Sequence, residues 1–245
     1  MHDLINIFNG TSFLCQNVRS FNSGDLSFAT TKHKLKSMLS SSADFYFLSE
    51  IKLCNNNIAK KIRNFLELKN FDLFVNSCSR SRGVAIIVRS GSYDSYETIF
   101  ECEKGNSLIV NFSKGCFKWT FWAAYLDCTD DLAYLKSTAS KAKTGHPLFV
   151  GGDLNCVTDG ESDPKLNIDL FRRTAVPNKK ISREMSSFMS ELNLIDAFRM
   201  KKCDDSSFSY IDAYGASRID HLLIPKQLEN SITRAEYSKL SNYFD

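Results

Sequence analysis

Residues 147–155 read PLFVGGDLN. Behind Pro147, an apolar run from Leu148 to Val150 enters two glycines and then presents Asp153 and Asn155. A short apolar run bounded by turn residues suits a strand buried on both faces. Gly151 and Gly152 are expected to let the backbone turn and come close to a neighbour at the strand end. Successive side chains of an extended chain alternate, so Asp153 and Asn155 should point to one side. A carboxylate that can take a proton, beside a neutral amide donor, is the pairing that phosphodiester cleavage uses. Strands ending in Gly-Asp are common in α/β proteins, and four other segments give this one its weight.

The chain has 245 residues, 43% hydrophobic and 24% charged, the composition of an ordinary globular protein with a sizeable core. Nineteen Phe make that core aromatic-rich. The net charge of +3 neither demands nor excludes a nucleic-acid partner. Arg172, Arg173, Lys179, Lys180 and Arg183 cluster, which suits a phosphate-binding patch and equally a solvated loop and helix face. The eight cysteines are scattered without a Cys-x-x-Cys pair. They are expected to be reduced thiols of an intracellular protein, not a disulfide framework or zinc site. No apolar run is long enough to span a bilayer, and no membrane partner is expected.

Strand-like runs occupy 13–18, 44–51, 71–76, 83–89, 107–112, 118–126, 147–155, 207–211 and 218–224, rich in β-branched and aromatic residues. Helical periodicity predicts helices over 32–42, 57–68, 131–142 and 183–194. In the second of these, Ile58, Ile62, Phe65 and Leu66 share a face. In the fourth, Met185, Phe188, Met189 and Leu192 do the same, a stripe that reads as core. Strands with interspersed helices argue for packed sheets flanked by helices. The long polar stretch 159–181, with Pro164 and Pro177, has the length of a functional loop.

Further polar groups terminate apolar runs: Asn17 in FLCQNV, Glu50 in DFYFLSEI, Tyr125 in FWAAYL and Asp220 in SRIDHLLI, with Asp245 the last residue. Each could reach one rim of a sheet sandwich, where function concentrates. Singly, each has an ordinary explanation. Asn17 could open a turn, Glu50 could be a solvated strand end, Tyr125 a core ring, and Asp220 the partner of Arg218.

In this order the segments resemble the motif set of the endonuclease/exonuclease/phosphatase superfamily over nearly the whole chain. Within it they are most similar to the apurinic-like endonuclease domain of non-LTR retrotransposons (long interspersed elements). The residues that carry the likeness are KHKLKSMLSSSADFYFLSEIKL (32–53), RGVAIIV (82–88), LNLIDAFR (192–199) and SFSYIDAYGASRIDHLLI (207–224). The resemblance implies a four-layer α/β sandwich, two packed β-sheets flanked by helices, of the DNase I type. It implies a Mg²⁺ site, with Mn²⁺ as a substitute, formed by Glu50 with Asn17 and Asp245. It makes Asp153 the group that orients or deprotonates water, with Asn155 and Tyr125 as hydrogen-bond donors to the scissile phosphate. Asp220 would orient a histidine, and Ser207 falls where the family has a small hydroxyl residue.

The resemblance also implies double-stranded DNA as partner, a fused reverse transcriptase, and a nuclear location. The hairpin 208–217 would enter the minor groove, with Ile211 and Tyr214 against sugars or a base step. It could also be a plain surface hairpin. Lys32, Lys34, Arg172, Arg173, Lys179 and Lys180 would contact phosphates. The family's last motif is Ser-Asp-His, whereas this sequence ends LSNYFD, with Phe244 in the serine position. The expectation is one endonuclease domain, 1–245, truncated just before the final Asp-His and last strand, and inactive for want of that histidine. Two other readings stay open. One is an abasic-site repair nuclease or phosphatase of the same superfamily. The other is a DNA-binding module that has lost catalysis.

Overall fold

The computed structural model describes residues 8, 10–21, 28–53, 55–77, 82–127, 132–158, 170–172, 181–202, 207–213 and 215–236. For 132–133, 158, 170–172, 181–184 and 212 it describes the backbone alone. The first half of the chain runs β1 (Phe13–Asn17), α1 (Phe28–Leu39), β2 (Phe45–Ser49), α2 (Asn56–Glu67), β3 (Phe71–Asn76), β4 (Val84–Arg89), β5 (Ser95–Glu101), β6 (Ser107–Lys114) and β7 (Phe117–Tyr125). The second half runs α3 (Leu132–Ala142), β8 (Leu148–Asp153), β9 (Val157–Thr158), β10 (Leu170–Arg172), β11 (Ile181–Ser182), α4 (Arg183–Glu191), β12 (Leu194–Asp196), α5 (Ala197–Lys201), β13 (Tyr210–Asp212), β14 (Gly215–Ser217) and β15 (Asp220–Pro225). A 3₁₀ turn (Lys226–Ser231) follows.

Two mixed sheets form the frame, one of four strands ordered β1-β2-β4-β3 and one of six ordered β12-β15-β8-β7-β6-β5. They face each other across a core of Phe45, Phe47, Ile86, Val110, Phe112, Trp119, Phe121 and Phe149. The Phe content is spent here: Phe121 meets Phe45, Phe47, Phe112 and Phe149 at ring-centroid distances of 4.9–5.3 Å, within the range of favourable aromatic pairs.

Helices cover both outer faces. Leu35 and Met38 of α1 and Ile58, Ile62 and Phe65 of α2 pack on Tyr46, Leu48 and Ile87. Leu135 and Ala139 of α3 and Met185 and Phe188 of α4 pack on Trp122, Val150 and Leu223. The result is the expected four-layer α/β sandwich. With both faces covered, every residue of β2 and of β8 is buried. A continuous apolar run, without alternation, is the sequence such a strand requires. The start of α2 is fixed by Asn55, whose side chain accepts from the backbone N–H groups of Asn57 and Ile58.

Three differences from the sequence expectations have clear causes. The helix expected over 183–194 stops at Glu191, because Asn193 takes a left-handed conformation (φ 53°) and redirects the chain. Leu194–Asp196 then adds to the sheet edge beside β15. Strand β5 has no clear sequence signature because it is an exposed edge with an irregular register at Thr98–Phe100. Finally, the glycines of β8 do not turn the chain, since the strand runs on through Asp153.

What the glycines allow is close approach. A Cβ on Gly151 would sit 2.3 Å from the Phe47 ring of the facing sheet. A Cβ on Gly152 (φ 148°) would sit 1.8 Å from the Ala124 carbonyl oxygen of neighbouring β7. Among the described residues, no helix is long and apolar enough to cross a membrane. The described cysteines (Cys15, Cys102, Cys116 and Cys156) are free thiols.

Gly152→Ala should therefore be more damaging than an ordinary core substitution, since backbone cannot yield as a side-chain tip can. A loss of at least about 2–4 kcal/mol is expected, read from urea unfolding. An unchanged midpoint would contradict the close approach.

Candidate active site

The register of three adjacent strands brings polar residues to one sheet end. Tyr125 of β7 pairs with Asp153 of β8, and Asp153 pairs with Asp220 of β15. In the facing sheet Asn17 ends β1, opposite Ser49 at the end of β2. Glu50 follows in a left-handed conformation (φ 53°). A non-glycine residue there is strained, and such strain gathers at functional sites.

One amide joins the two sheets. Asn17 Nδ2 donates to Glu50 Oε1 at 2.7 Å and to Asp153 Oδ2 at 3.0 Å. Asn17 Oδ1 accepts from the Arg19 N–H at 3.0 Å. The other oxygen of Asp153 accepts from the Asn155 N–H at 3.0 Å. Beneath this layer, Cys15 Sγ of β1 donates to the His221 carbonyl oxygen of β15 at 3.3 Å. Burial, followed by the charge of Asp220, pushes that thiol well above its ordinary range and keeps it protonated.

Asn155 departs from the extended-chain expectation. The strand ends at Asp153, and Asn155 (φ 47°) turns back. Its N–H bonds the Asp153 carboxylate and its side-chain amide donates to the Leu126 carbonyl. It reaches the site through an Asx-type turn, not by strand alternation. The Tyr125 ring lies in the core between the sheets.

The carboxylates are held in an environment that resists ionisation. Burial, then the nearby Asp220, raises Asp153 well above the usual carboxylate range. Burial raises Asp220 to about 6, opposed by the Ser209 hydroxyl, His221 and Arg19. A carboxylate in this state can accept and return a proton near neutral pH.

His221, the strand neighbour of Asp220, belongs to a separate buried cluster. Its Nδ1 lies 3.0 Å from Asp196 Oδ2 and its Nε2 2.9 Å from the Cys156 carbonyl oxygen. Arg218 is fully buried and donates to Asp196 Oδ2 at 2.7 Å. Burial alone would raise the Asp196 carboxyl, but the hydrogen bond from His221 and the Arg218 charge hold it far below the usual range. The ion-pair partner of Arg218 is thus Asp196, and Asp196 also caps α5 through its other oxygen. Neither role was read from the sequence. The signal was present in LNLIDAFR, an aspartate placed directly before a short helix.

The hydroxyl beside Asp220 is that of Ser209, which accepts from the N–H groups of Ile219 and Asp220 at 3.0 and 3.1 Å. Ser207 lies two residues earlier and is half-buried. Lys34 Nζ donates to the Val18 and Ser20 carbonyls at 3.1 and 3.0 Å, so it holds the chain behind Asn17. Ile211 of the 210–217 hairpin is 69% exposed. Asp245, Tyr214, Arg173, Lys179 and Lys180 lie outside the described residues, and Arg172 is described only as backbone of β10, paired with β14.

The candidate metal-ligating atoms at the rim are the carboxylate oxygens of Glu50, Asp153 and Asp220, while Asn17 turns Nδ2 to Glu50 and Asp153 and Oδ1 to the Arg19 N–H. Glu50 Oε2 is ion-paired with Lys52 Nζ at 2.5 Å. Among the described residues no three Asp, Glu, His or Cys side chains form a closed ligand group. A single carboxylate with an amide neighbour fits a hard divalent ion that keeps most of its water, the habit of Mg²⁺, and not a dehydrated cage.

No family model and no curated protein matches the sequence. Solved structures do match the fold. An AP endonuclease from Leishmania major is 14% identical with a TM-score of 0.62, covering 89% of this chain and 79% of that one. A 3′ phosphatase from Neisseria, bound to a product DNA hairpin, is 17% identical with a TM-score of 0.64, covering 90% and 88%. The endonuclease domain of TRAS1, a telomere-specific non-LTR retrotransposon, is 12% identical with a TM-score of 0.55, covering 90% and 87%. This chain shares the two-sheet α/β sandwich of those proteins.

Two outcomes follow from the electrostatics. A carboxyl raised by folding stabilises the fold while protonated, below about pH 4, and that contribution is lost as the pH rises through about 6. Asp220→Asn should therefore raise the melting temperature by several degrees at pH 8 in EDTA. It should make no difference near pH 4, and equal melting at both pH values would contradict the shift. Arg218→Ala leaves Asp196 buried without its main counter-charge and should cost about 3–5 kcal/mol, measured by urea unfolding.

Proposed function

We propose that the chain is a metal-dependent phosphodiesterase acting on DNA, the endonuclease domain of a non-LTR retrotransposon polyprotein. The observation that carries this reading is the Asn17 amide, which ties Glu50 of one sheet to Asp153 of the other. Around it stand Tyr125 and Asp220, in register with Asp153. The architecture shared with three DNA-processing enzymes supports the substrate class.

In this reading Glu50 and Asn17, with Asp245, hold Mg²⁺, or Mn²⁺ in its place. The ion, when bound, supplies positive charge to the phosphate and to the leaving oxygen. Asp153 orients a water molecule and takes its proton as the water oxygen bonds to phosphorus. The bond from phosphorus to the 3′ oxygen breaks, that oxygen gains a proton, and a 3′ hydroxyl and a 5′ phosphate remain. Burial of Asp153 and the adjacent charge of Asp220 suit it to hold the proton. Asn155 and Tyr125 donate hydrogen bonds to the phosphate oxygens. The 3′ hydroxyl would then prime a fused reverse transcriptase in the nucleus.

Asp220 would orient a histidine that donates the leaving-group proton. His221 is committed to Asp196 and Cys156 and does not take that role, and without another histidine at Asp220 the 245 residues would be nearly inactive. The exposed Ile211 suits a hairpin that touches a DNA groove and favours a polymer over a small phosphate ester. Ser207, Tyr214, Arg172, Arg173 and Lys34 remain the proposed contacts to DNA.

The higher TM-scores to an AP endonuclease and a 3′ phosphatase than to the TRAS1 domain favour a second reading, repair of abasic sites or blocked 3′ ends. One assay separates the two. Supercoiled plasmid, an abasic duplex and a 3′-phosphorylated duplex are incubated with Mg²⁺ and either the 245-residue chain or a longer chain including the next encoded residues. The expected result is plasmid nicking by the longer chain, reduced at least about 10³-fold by Glu50→Ala. Cleavage confined to the abasic or 3′-phosphate substrate would favour repair. Metal-independent DNA binding with no cleavage would leave a binding module.

A further inference from the structure

Arg82 and Asp127 also join the two sheets at the rim, on the side of Tyr125. Arg82 precedes β4 of the four-stranded sheet, and Asp127 follows β7 of the six-stranded one. The guanidinium Nη2 donates to Asp127 Oδ2 at 3.1 Å, with side-chain exposures of 17% and 30%. An ion pair so near solvent contributes little to stability. Its weight lies in what the backbone on either side of it holds.

On the Arg82 side, the Gly83 carbonyl accepts from the Ile51 N–H at 3.1 Å. The Arg82 carbonyl accepts from the Ser77 hydroxyl at 3.3 Å, and that hydroxyl oxygen accepts from the Leu53 N–H at 2.8 Å. Glu50 and Lys52, on either side of Ile51, are both left-handed (φ 53° and 48°), and such backbone persists only where its surroundings hold it. Gly83 (φ 148°) permits the close approach, since a Cβ there would lie 2.5 Å from Ile51 Cγ1. On the Asp127 side, Leu126 is held at both ends of its backbone. Its N–H donates to the Asp153 carbonyl at 2.9 Å, and its carbonyl accepts from the Asn155 side-chain amide. That carbonyl shares one planar peptide unit with the Asp127 nitrogen. A primary amide carries two hydrogens, so the bond to Leu126 fixes the direction of the other. The ion pair therefore ties the turn that carries Glu50 to the peptide that aims Asn155.

We propose that Arg82 and Asp127 are positioning residues: their ion pair holds the peptide between Leu126 and Asp127, and so aims the second hydrogen of the Asn155 amide at a phosphate oxygen beside Glu50. This rests on the nuclease reading above and adds to it a pair that sets the geometry of the phosphate contact without touching DNA. The Arg82 charge is spent on Asp127, inside the protein. A small error in such geometry is costly even when it arises away from the reacting atoms.

The test is plasmid nicking in Mg²⁺ by the longer chain of the assay above, with kcat and KM measured for its variants. Arg82→Ala and Asp127→Ala should each lower kcat about 10-fold to 100-fold, with KM and the melting temperature nearly unchanged. The two together should do no worse than either alone, as residues that act as a unit do. In an Asn155→Ala background, Arg82→Ala should cost little more, because its effect passes through that amide. A loss of folded protein would instead repeat there in full. An unchanged kcat in both single variants, or the same loss repeated without Asn155, would overturn the inference and leave the nuclease reading standing. So would a fall of about 0.9 in the slope of log DNA affinity against log salt in Arg82→Ala, which would make Arg82 itself a phosphate contact. If the longer chain without substitutions does not nick, both are overturned.

Discussion

The Asn17 side-chain amide donates to a carboxylate from each direction, Glu50 beyond its own sheet and Asp153 across the sandwich. For one amide nitrogen to span that gap, the two sheets must approach closely at this rim. Gly151 lets the Phe47 ring in, and Gly152 lets β8 press against the Ala124 carbonyl. Gly151 and the amide are therefore parts of one constraint. Gly151 sets the separation between the sheets, Gly152 the approach of β8 to its own neighbour β7, and the amide the distance between the carboxylates. Cys15, hydrogen-bonded to the His221 carbonyl one layer deeper, repeats the link with a neutral donor.

Holding Asp153 and Asp220 side by side in this way opposes stability. Both carboxyls are raised by burial, Asp153 further by the charge of Asp220 and Asp220 by that of Glu50. A few residues away the same sheet carries the opposite arrangement, with Asp196 held ionised by His221 and Arg218. Removing one partner from a buried pair of this kind is costly, so the cluster locks β12 and the residues leading into β15 in place behind the site. Left-handed non-glycine residues gather in the turns that carry Arg19, Ser20, Glu50, Lys52 and Asn155, and recur away from the site at Ser42, Asn70 and Asn193. The strands beneath those turns are regular, and they fix where each turn begins.

Much of the fold was legible because both sheets are covered by helices. Strands buried on two faces need continuous apolar runs, and each run ends where a polar residue first appears. Asn17, Glu50, Tyr125 and Asp153 could be placed near strand ends for that reason, although the second strand stops at Ser49, one residue short of Glu50. The reading failed where the backbone left regular geometry. Asn155 was read as extended, but a left-handed turn brings it back onto Asp153. The helix was read on through Leu194 because Asn193 is compatible with helix periodicity and its positive φ leaves no mark on the pattern. Ser209 beside Asp220, and Asp196 beside Arg218, depend on pairings between distant segments, which residue spacing does not encode.

The proposed nuclease function requires the rim where the sheets meet to hold a hard divalent cation against Glu50 and Asn17, within reach of Asp153. Mn²⁺ titration followed by electron paramagnetic resonance tests this without requiring turnover. The expected result is one bound Mn²⁺, displaced by Mg²⁺, abolished in Glu50→Gln and weakened in Asn17→Ala, with both variants folded. Undiminished Mn²⁺ binding in Glu50→Gln would contradict the account, because the amide bridge would then join two carboxylates that hold no metal.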